Sequence, residues 1–159
     1  MPASDNGYRL DRYDRHILEL LQREGRISNQ ELADRIGLSP SPCLRRVRAL
    51  EDSELITGYR AVLDAKRLGL NLTALLLISM DQHTSERFAT FEQAIENIPS
   101  IIECLLITGQ EADYQLRVIV HDMDEYQHLL LNRINSIPGV TSAHSSFVLR
   151  RVMGQPLPV

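Results

Sequence analysis

Cysteine is scarce in this chain: Cys43 and Cys104 are all that its 159 residues contain. Each lies in an apolar stretch and no CxxC spacing is present, which argues against a metal knuckle or a disulfide framework and leaves reduced, buried thiols as the expectation. The five histidines, His16, His83, His121, His128 and His144, show neither HxxxH nor HExxH spacing. They read as solvated surface groups, and no metal site is expected. Glycine-rich phosphate cradles of the GxGxxG and GxxxxGKS/T kinds are missing. The one local mimic of a nucleophile elbow, Gly37-Leu38-Ser39-Pro40-Ser41, lacks a glycine two residues after Ser39 and a strand before it. With no triad either, neither an enzyme nor a cofactor is expected.

Long apolar runs are also lacking, since none approaches the ~18 residues of a membrane span. No N-terminal stretch joins basic residues to an apolar segment in the manner of a secretion signal, so a cytoplasmic protein with no membrane partner is expected. Nor is there an excess of positive charge. The formal net charge is −4, with ten basic and ten acidic residues in positions 1–60 and seven against eleven in the remainder. Any affinity for a polyanion must therefore come from local arrangement. A hydrophobic content of 43% suffices for a buried core, and two small domains fit the pattern better than one.

The most informative stretch runs from Ser28 to Glu54. Ser28 and Glu31 have capping-box spacing, in which the hydroxyl takes the N3 amide and the carboxylate reaches back to the cap amide. The helix they open carries Leu32, Ala33 and Ile36 on one face and stops at Gly37, a residue that enters the left-handed conformation without a Cβ penalty. Ser39 is a second N-cap, and Pro40 and Pro42 fall in the first turn, where a missing N–H costs nothing. At 100° per residue Cys43, Val47 and Leu50 gather on one side, Ser41, Arg45, Arg48 and Asp52 on the other, and Arg46 at the border. Two helices joined by a short Gly-containing turn make a helix-turn-helix, whose second helix enters the major groove of DNA. Small hydroxyls, a helix N-terminus and arginines suit phosphates and guanine edges.

Residues 1–7 are small and polar and read as a disordered tail. Asp11 caps a preceding helix whose apolar face is Ile17, Leu18, Leu20 and Leu21, ending at Gly25. After the recognition helix, the β-branched and aromatic stretch Ile56 to Asp64 reads as a β-hairpin wing. Then the period changes. Strands are expected over Leu70 to Met80, Ile101 to Thr108, Tyr114 to Val120 and Val140 to Val152, with helices over Thr84 to Asn97 and Asp124 to Ile137. That order, βαββαβ, carries a weak repeat in which Ile98-Pro99-Ser100-Ile101 corresponds to Ile137-Pro138-Gly139-Val140, and it describes a ferredoxin-like sandwich. The fold class is thus α+β: a winged helix-turn-helix domain over 8–64 and a ferredoxin-like domain over 65–159. Helices cover one face of such a sheet, yet the first two strands are apolar on both parities. A second copy of the sheet is the expected cover, giving a two-fold dimer.

From about Leu10 to Pro158 the chain resembles the leucine-responsive and asparagine-synthase regulator family (Lrp/AsnC, or feast/famine regulators). The residues that carry the likeness are Asp14-Arg15, Ile17-Leu18, Gly25-Arg26-Ile27-Ser28, Gly37-Leu38-Ser39-Pro40, Cys43, Arg46-Val47, Leu50-Glu51, Ile56-Thr57-Gly58-Tyr59, Asp113-Tyr114 and Pro138-Gly139-Val140. The resemblance implies a transcription regulator that binds double-stranded DNA through the first domain, and that dimerises and binds a small effector, usually an amino acid, through the second. Many relatives assemble further, to octamers. DNA contact would fall on Ser39, Ser41, Pro42, Arg45, Arg46 and Arg48. The effector pocket, where dimers meet, would draw on Leu106, Thr108, Gly109, Gln110, Glu111 and Asp113, together with Met123, Ser145 and Ser146. Members usually carry glycine, an acidic residue and one variable residue before Asp-Tyr, and here the turn Gly109 to Tyr114 is one residue longer. Phe147 joins Leu106 and Met123 as a candidate apolar wall. The rival reading, from another class, is a small-molecule-binding or enzymatic ferredoxin-like domain fused to a helical interaction module with no DNA role.

Overall fold

The computed structural model describes residues 8–109 and 112–159, so the expectations for residues 1–7 and for Gln110 and Glu111 lie outside the described residues. The chain divides into two compact units, Met1–Leu63 with Met153–Val159, and Asp64–Val152.

The first unit holds α1 (Arg12–Arg23), α2 (Asn29–Ile36) and α3 (Pro40–Asp52). Asp11 caps α1 by accepting the N–H groups of Tyr13 and Asp14, while the Asp14 carboxylate takes the Asp11 N–H at 3.1 Å. Two aspartates thus close the box that was expected of Ser28 and Glu31. Only half of that second box forms: Ser28 Oγ accepts the Glu31 N–H at 3.2 Å, but the Glu31 carboxylate pairs with Arg35 at 2.6 Å one turn on. An ion pair at i,i+4 has replaced the reciprocal bond. Gly37 ends α2 at φ 72°, and the Leu38 N–H reaches back to the Ala33 carbonyl at 2.9 Å. Ser39 begins α3 in extended conformation without a side-chain cap bond, and Pro40 stands in the first turn. Ile17, Leu18, Leu32, Ala33, Ile36, Cys43 and Leu50 are the buried core of the unit.

Residues 56–64 contain no strand, so the expected hairpin wing does not form within this chain. The composition is that of a strand, but a strand needs a partner to satisfy its backbone, and none of the described segments pairs with it. Tyr59 instead donates to Glu51 Oε1 at 2.9 Å, laying the segment's start against the end of α3. Burial and then the Glu51 carboxylate push that phenol up to about 12.

The second unit runs β1 (Leu72–Met80), α4 (Ser85–Glu96), β2 (Ile101–Leu106), β3 (Tyr114–Val120), α5 (Met123–Leu129) and β4 (Val140–Phe147). A π-helical turn, Leu130–Ile134, continues α5. The sheet order is β2-β3-β1-β4 with every described pair antiparallel, the ferredoxin-like arrangement. The internal repeat is visible as geometry. Ile101 N–H bonds Ile98 O at 3.0 Å where Val140 N–H bonds Ile137 O at 3.2 Å, and Ile98 and Ile137 are both buried. Ala74, Leu76, Ile78, Leu116 and Val118 face the helices and form the core with Phe91, Ile95, Tyr126 and Ile134. The opposite face is open: Leu77 is 37% exposed and Leu105 45%. β4 stops at Phe147, short of the expected Val152, because β1 runs out: Phe147 pairs with Ala74, and the next bond, Val148 N–H to Thr73 O, is the last. Cys104 was expected to be buried and is exposed on the edge strand β2, whereas Cys43 is buried.

Beyond β4 the chain returns to the first unit. Gln22 donates to the Leu157 carbonyl at 3.1 Å and accepts the Leu157 N–H at 2.7 Å, and Val159 packs on the helical core. The final seven residues thus cluster with the helices, although the sequence had placed them in the second domain.

Candidate DNA interface and effector site

The packing of α3 decides which of its arginines can meet a partner. Cys43 and Leu50 are buried against α1 and α2, which turns Ser41, Arg45 and Arg48 outward. A groove of about 420 Å³ follows this outer face, lined by Ser41, Leu44, Arg45, Arg48, Ala49 and Asp52. Ser39, whose hydroxyl caps nothing, and the half-buried Pro42 stand at its N-terminal end. No ion pair holds Arg45 or Arg48 among the described residues. A helix N-terminus with small hydroxyls leading and two unpaired guanidinium groups behind is suited to phosphates and guanine edges.

Arg46, expected among the DNA contacts, is engaged within its own unit. Its guanidinium is held inside the unit, with Nη1 2.8 Å from both Asp11 Oδ2 and Asp14 Oδ1 and the group lying over the Tyr13 ring at 5.2 Å. Burial draws its pKa down, yet the hydrogen bonds to Asp14 and Asp11 hold it above the ordinary value. Asp14, only 3% exposed, needs this partner. Arg46 therefore fixes α3 to the capped end of α1.

The expected effector residues do not form one cluster: Ser145 and Ser146 lie across β1 from Leu116 and Arg117 in the middle of the sheet, and the other described ones flank β3. Leu106, Thr108, Gly109 and Asp113 precede or face Tyr114, while Met123 follows Val120. Seven strand residues separate the two ends of β3 by roughly 20 Å. Before β3, Asp113 stitches the turn to β1: Oδ2 accepts the Met80 N–H at 2.7 Å, Oδ1 lies 2.7 Å from His83 Nε2, and the Asp113 N–H donates to Ile78 O at 2.8 Å. After β3, Tyr126 donates to Ser145 Oγ and meets Phe147 edge-on, with Met123 half exposed nearby in sequence on α5. Ser145 pairs across from Leu76 and Ser146 from Leu75, so the two serines point to opposite faces of the sheet. One chain does not bring these groups together.

Sequence reasoning missed His83 and Tyr126, the direct partners of Asp113 and Ser145. No spacing signal could have paired them, because the contacts are made between strands and loops distant in sequence. It also missed a cleft of about 760 Å³ between α4 and β2, lined by Glu92, Glu96, Glu103, Cys104, Leu106 and Tyr114 among others. Partial burial there, and then Glu92, push the Cys104 thiol up to about 11. Tyr114 donates to Glu92 Oε1 at 2.7 Å, and burial with that carboxylate raises its phenol as well.

A helix-turn-helix with a cationic outward face, followed by a ferredoxin-like sheet open on one side, is the architecture of a DNA-binding transcriptional regulator with a ligand domain. Family models agree, one for a winged helix-turn-helix DNA-binding domain over residues 10–57 and one for the Lrp/AsnC ligand binding domain over 73–157. The chain belongs to the Lrp/AsnC family. It is 42% identical over 149 residues to the Bkd operon transcriptional regulator of Pseudomonas aeruginosa, covering 94% of this chain and 97% of that one. It is 41% identical over 146 residues to the leucine-responsive regulatory protein of Escherichia coli K12, covering 92% and 88%. Among solved structures, a transcriptional regulator from Neisseria meningitidis in complex with L-Met superposes with a TM-score of 0.88 at 36% identity, over 92% of this chain and 94% of that one.

Proposed function

We propose that this chain is a sequence-specific, DNA-binding transcriptional regulator whose occupancy or assembly responds to an amino acid, and that it acts in the cytoplasm without catalysing a reaction. The observation that carries the DNA half is the outward row Ser41, Arg45 and Arg48 on a helix whose opposite side is packed. Ser39, Ser41, Pro42, Arg45 and Arg48 are the proposed DNA contacts. On a two-fold dimer the two recognition helices read inverted half-sites a whole number of helical turns apart, each about 34–36 Å.

The effector half rests on the family and on the chemistry of the β2–β3 turn. The backbone N–H groups of a Gly-containing turn suit the carboxylate of a zwitterion, and Asp113 suits its ammonium. Since both Asp113 oxygens already have partners, a ligand ammonium displaces His83 from Oδ1 and leaves the Met80 amide on Oδ2. Leu106, Thr108, Gly109 and Asp113 form one wall of the site. Met123, Ser145, Ser146 and the apolar Phe147 belong to the other wall, and a second copy supplies the juxtaposition that one chain lacks. Leu77 and Leu105 on the open sheet face support dimerisation through that face, with further assembly of dimers.

Calorimetric titration of the chain and its Asp113→Asn variant with the twenty amino acids tests the effector site. Asparagine keeps an acceptor for the Met80 amide, so the turn survives while the charge is lost. The parent should bind at least one amino acid below millimolar concentration, with shallow discrimination among aliphatic side chains because a methylene is worth only about 1–3 kcal/mol. Equal binding by the variant would remove Asp113 from the site.

A further inference from the structure

The first 60 residues hold equal numbers of basic and acidic groups, but the structure does not distribute them evenly. Arg46 engages Asp11 and Asp14, and Arg35 engages Glu24 and Glu31, so four of the carboxylates are held in ion pairs with two arginines. What is left on the outer side of α1 is cationic. Arg12, Arg15, His16, Glu19 and Arg23 share one face at 100° per residue, opposite the buried Asp14, Ile17 and Leu18. None of Arg12, Arg15 and Arg23 is paired with a carboxylate among the described residues; Arg12 lies over the Tyr13 ring at 4.6 Å and donates to its hydroxyl at 2.8 Å.

Two contacts place this stripe beside the recognition helix. Tyr13 carries Arg12 over its ring and also Arg46 of α3, at 5.2 Å. The groove of about 620 Å³ along the stripe is closed on its other side by Ile36 and Gly37, which lead directly into the Ser39 cap of α3. From Arg12 to Arg23 the stripe is about 16 Å long at 1.5 Å per residue, matching roughly five base-pair rises of 3.4 Å. We propose that the outer face of α1, through Arg12, Arg15 and Arg23, is a second DNA contact that tracks the phosphate backbone flanking the groove read by α3. This rests on the DNA-binding reading and adds to it a surface that contributes affinity and orientation but no sequence preference.

The test is a salt series of anisotropy titrations of the full chain onto a mixed-sequence duplex. Each phosphate neutralised by an arginine contributes about 0.9 to the slope of log affinity against log salt. The Arg15→Gln/Arg23→Gln variant should therefore show a slope shallower by about 1.8 for each chain touching the duplex, with unchanged melting temperature. Glu19→Lys, which adds a cation to the middle of the stripe, should steepen the slope and tighten binding, a gain that misfolding cannot produce. If both variants keep the parent slope while Arg45→Ala weakens binding, the stripe is only a solvated face and the inference is overturned with the α3 assignment intact. If the parent itself shows no salt-dependent binding, the DNA reading falls and this inference with it.

Discussion

The helical unit and the sheet unit bury their apolar residues to different degrees. In the helical unit the apolar faces of all three helices meet, leaving charge on α1 and on the outer side of α3, with exposed apolar residues gathered mainly after α3 at Leu55, Tyr59, Val62 and Leu63. In the sheet unit one face is filled and the other is not, with Leu77 37% and Leu105 45% exposed. The three helices of the first unit close their own core and turn a polar face outward along α3. The sheet unit is apolar where it should be covered, and its candidate effector residues are spread over the β2–β3 turn, the start of α5 and the middle of β4. On the proposed reading the sheet unit is completed by a second copy and the helical unit by DNA.

Mutations can sharpen the contrast. The largest effect is expected from Leu116→Ala, at the centre of the sheet core, which should cost about 2–5 kcal/mol in denaturant unfolding. Leu105→Ser on the open face should change the unfolding of the chain by no more than about 0.5 kcal/mol, while shifting sedimentation from dimer toward monomer. A monomeric parent at micromolar concentration would contradict this.

Neighbouring arginines provide the next comparison. Arg46→Ala strands Asp14 and should lie between the ~3–5 kcal/mol of a broken buried pair and the ~0–1 of an exposed one, about 2 kcal/mol of stability. Arg45→Ala or Arg48→Ala should leave melting unchanged and cost about 1–3 kcal/mol per contact in specific DNA binding. Should Arg46→Ala melt like the parent, the Asp11–Asp14–Arg46 link is not what joins α1 to α3.

The smallest effect is one of pH. The Asp11 carboxyl is held below its ordinary 3.8 by the Asp14 backbone N–H, against desolvation and with help from Arg46. Glu24 is likewise lowered, first by its hydrogen bond to Arg35. Groups with depressed folded pKa values stabilise above their unfolded pKa and lose that contribution as pH falls through the folded one. The melting temperature should therefore drop between about pH 5 and pH 3, and Asp11→Asn, which caps without titrating, should flatten the drop slightly. An identical profile for the variant would mean that Asp11 is not a source of it.

Much of this was legible in the sequence because local chemistry agreed with the global fold. Asp11, Ser28 and Thr84 cap the helices they were positioned to cap or open, and the repeated Ile-Pro turns mark both halves of the sandwich. What was not legible depends on distant partners. A helical wheel puts Arg46 at a border, and its direction is decided by two aspartates more than thirty residues earlier. The strand-like composition of residues 56–64 says nothing about whether a neighbour exists to pair with it. Asp113 was recognisable as a turn residue and, through the family, as a ligand candidate; that His83 and the Met80 amide occupy it was visible only in three dimensions.

On the proposed reading α3 reads DNA through Arg45 and Arg48 under control of an amino acid bound by the other unit. Genomic footprinting of the parent and the Arg45→Ala/Arg48→Ala variant, with and without each amino acid, tests it most directly. The parent should protect discrete inverted half-sites whose occupancy changes with at least one amino acid, and the variant should lose them. Protection of the same sites by the variant, or a parent that protects none, would contradict the account.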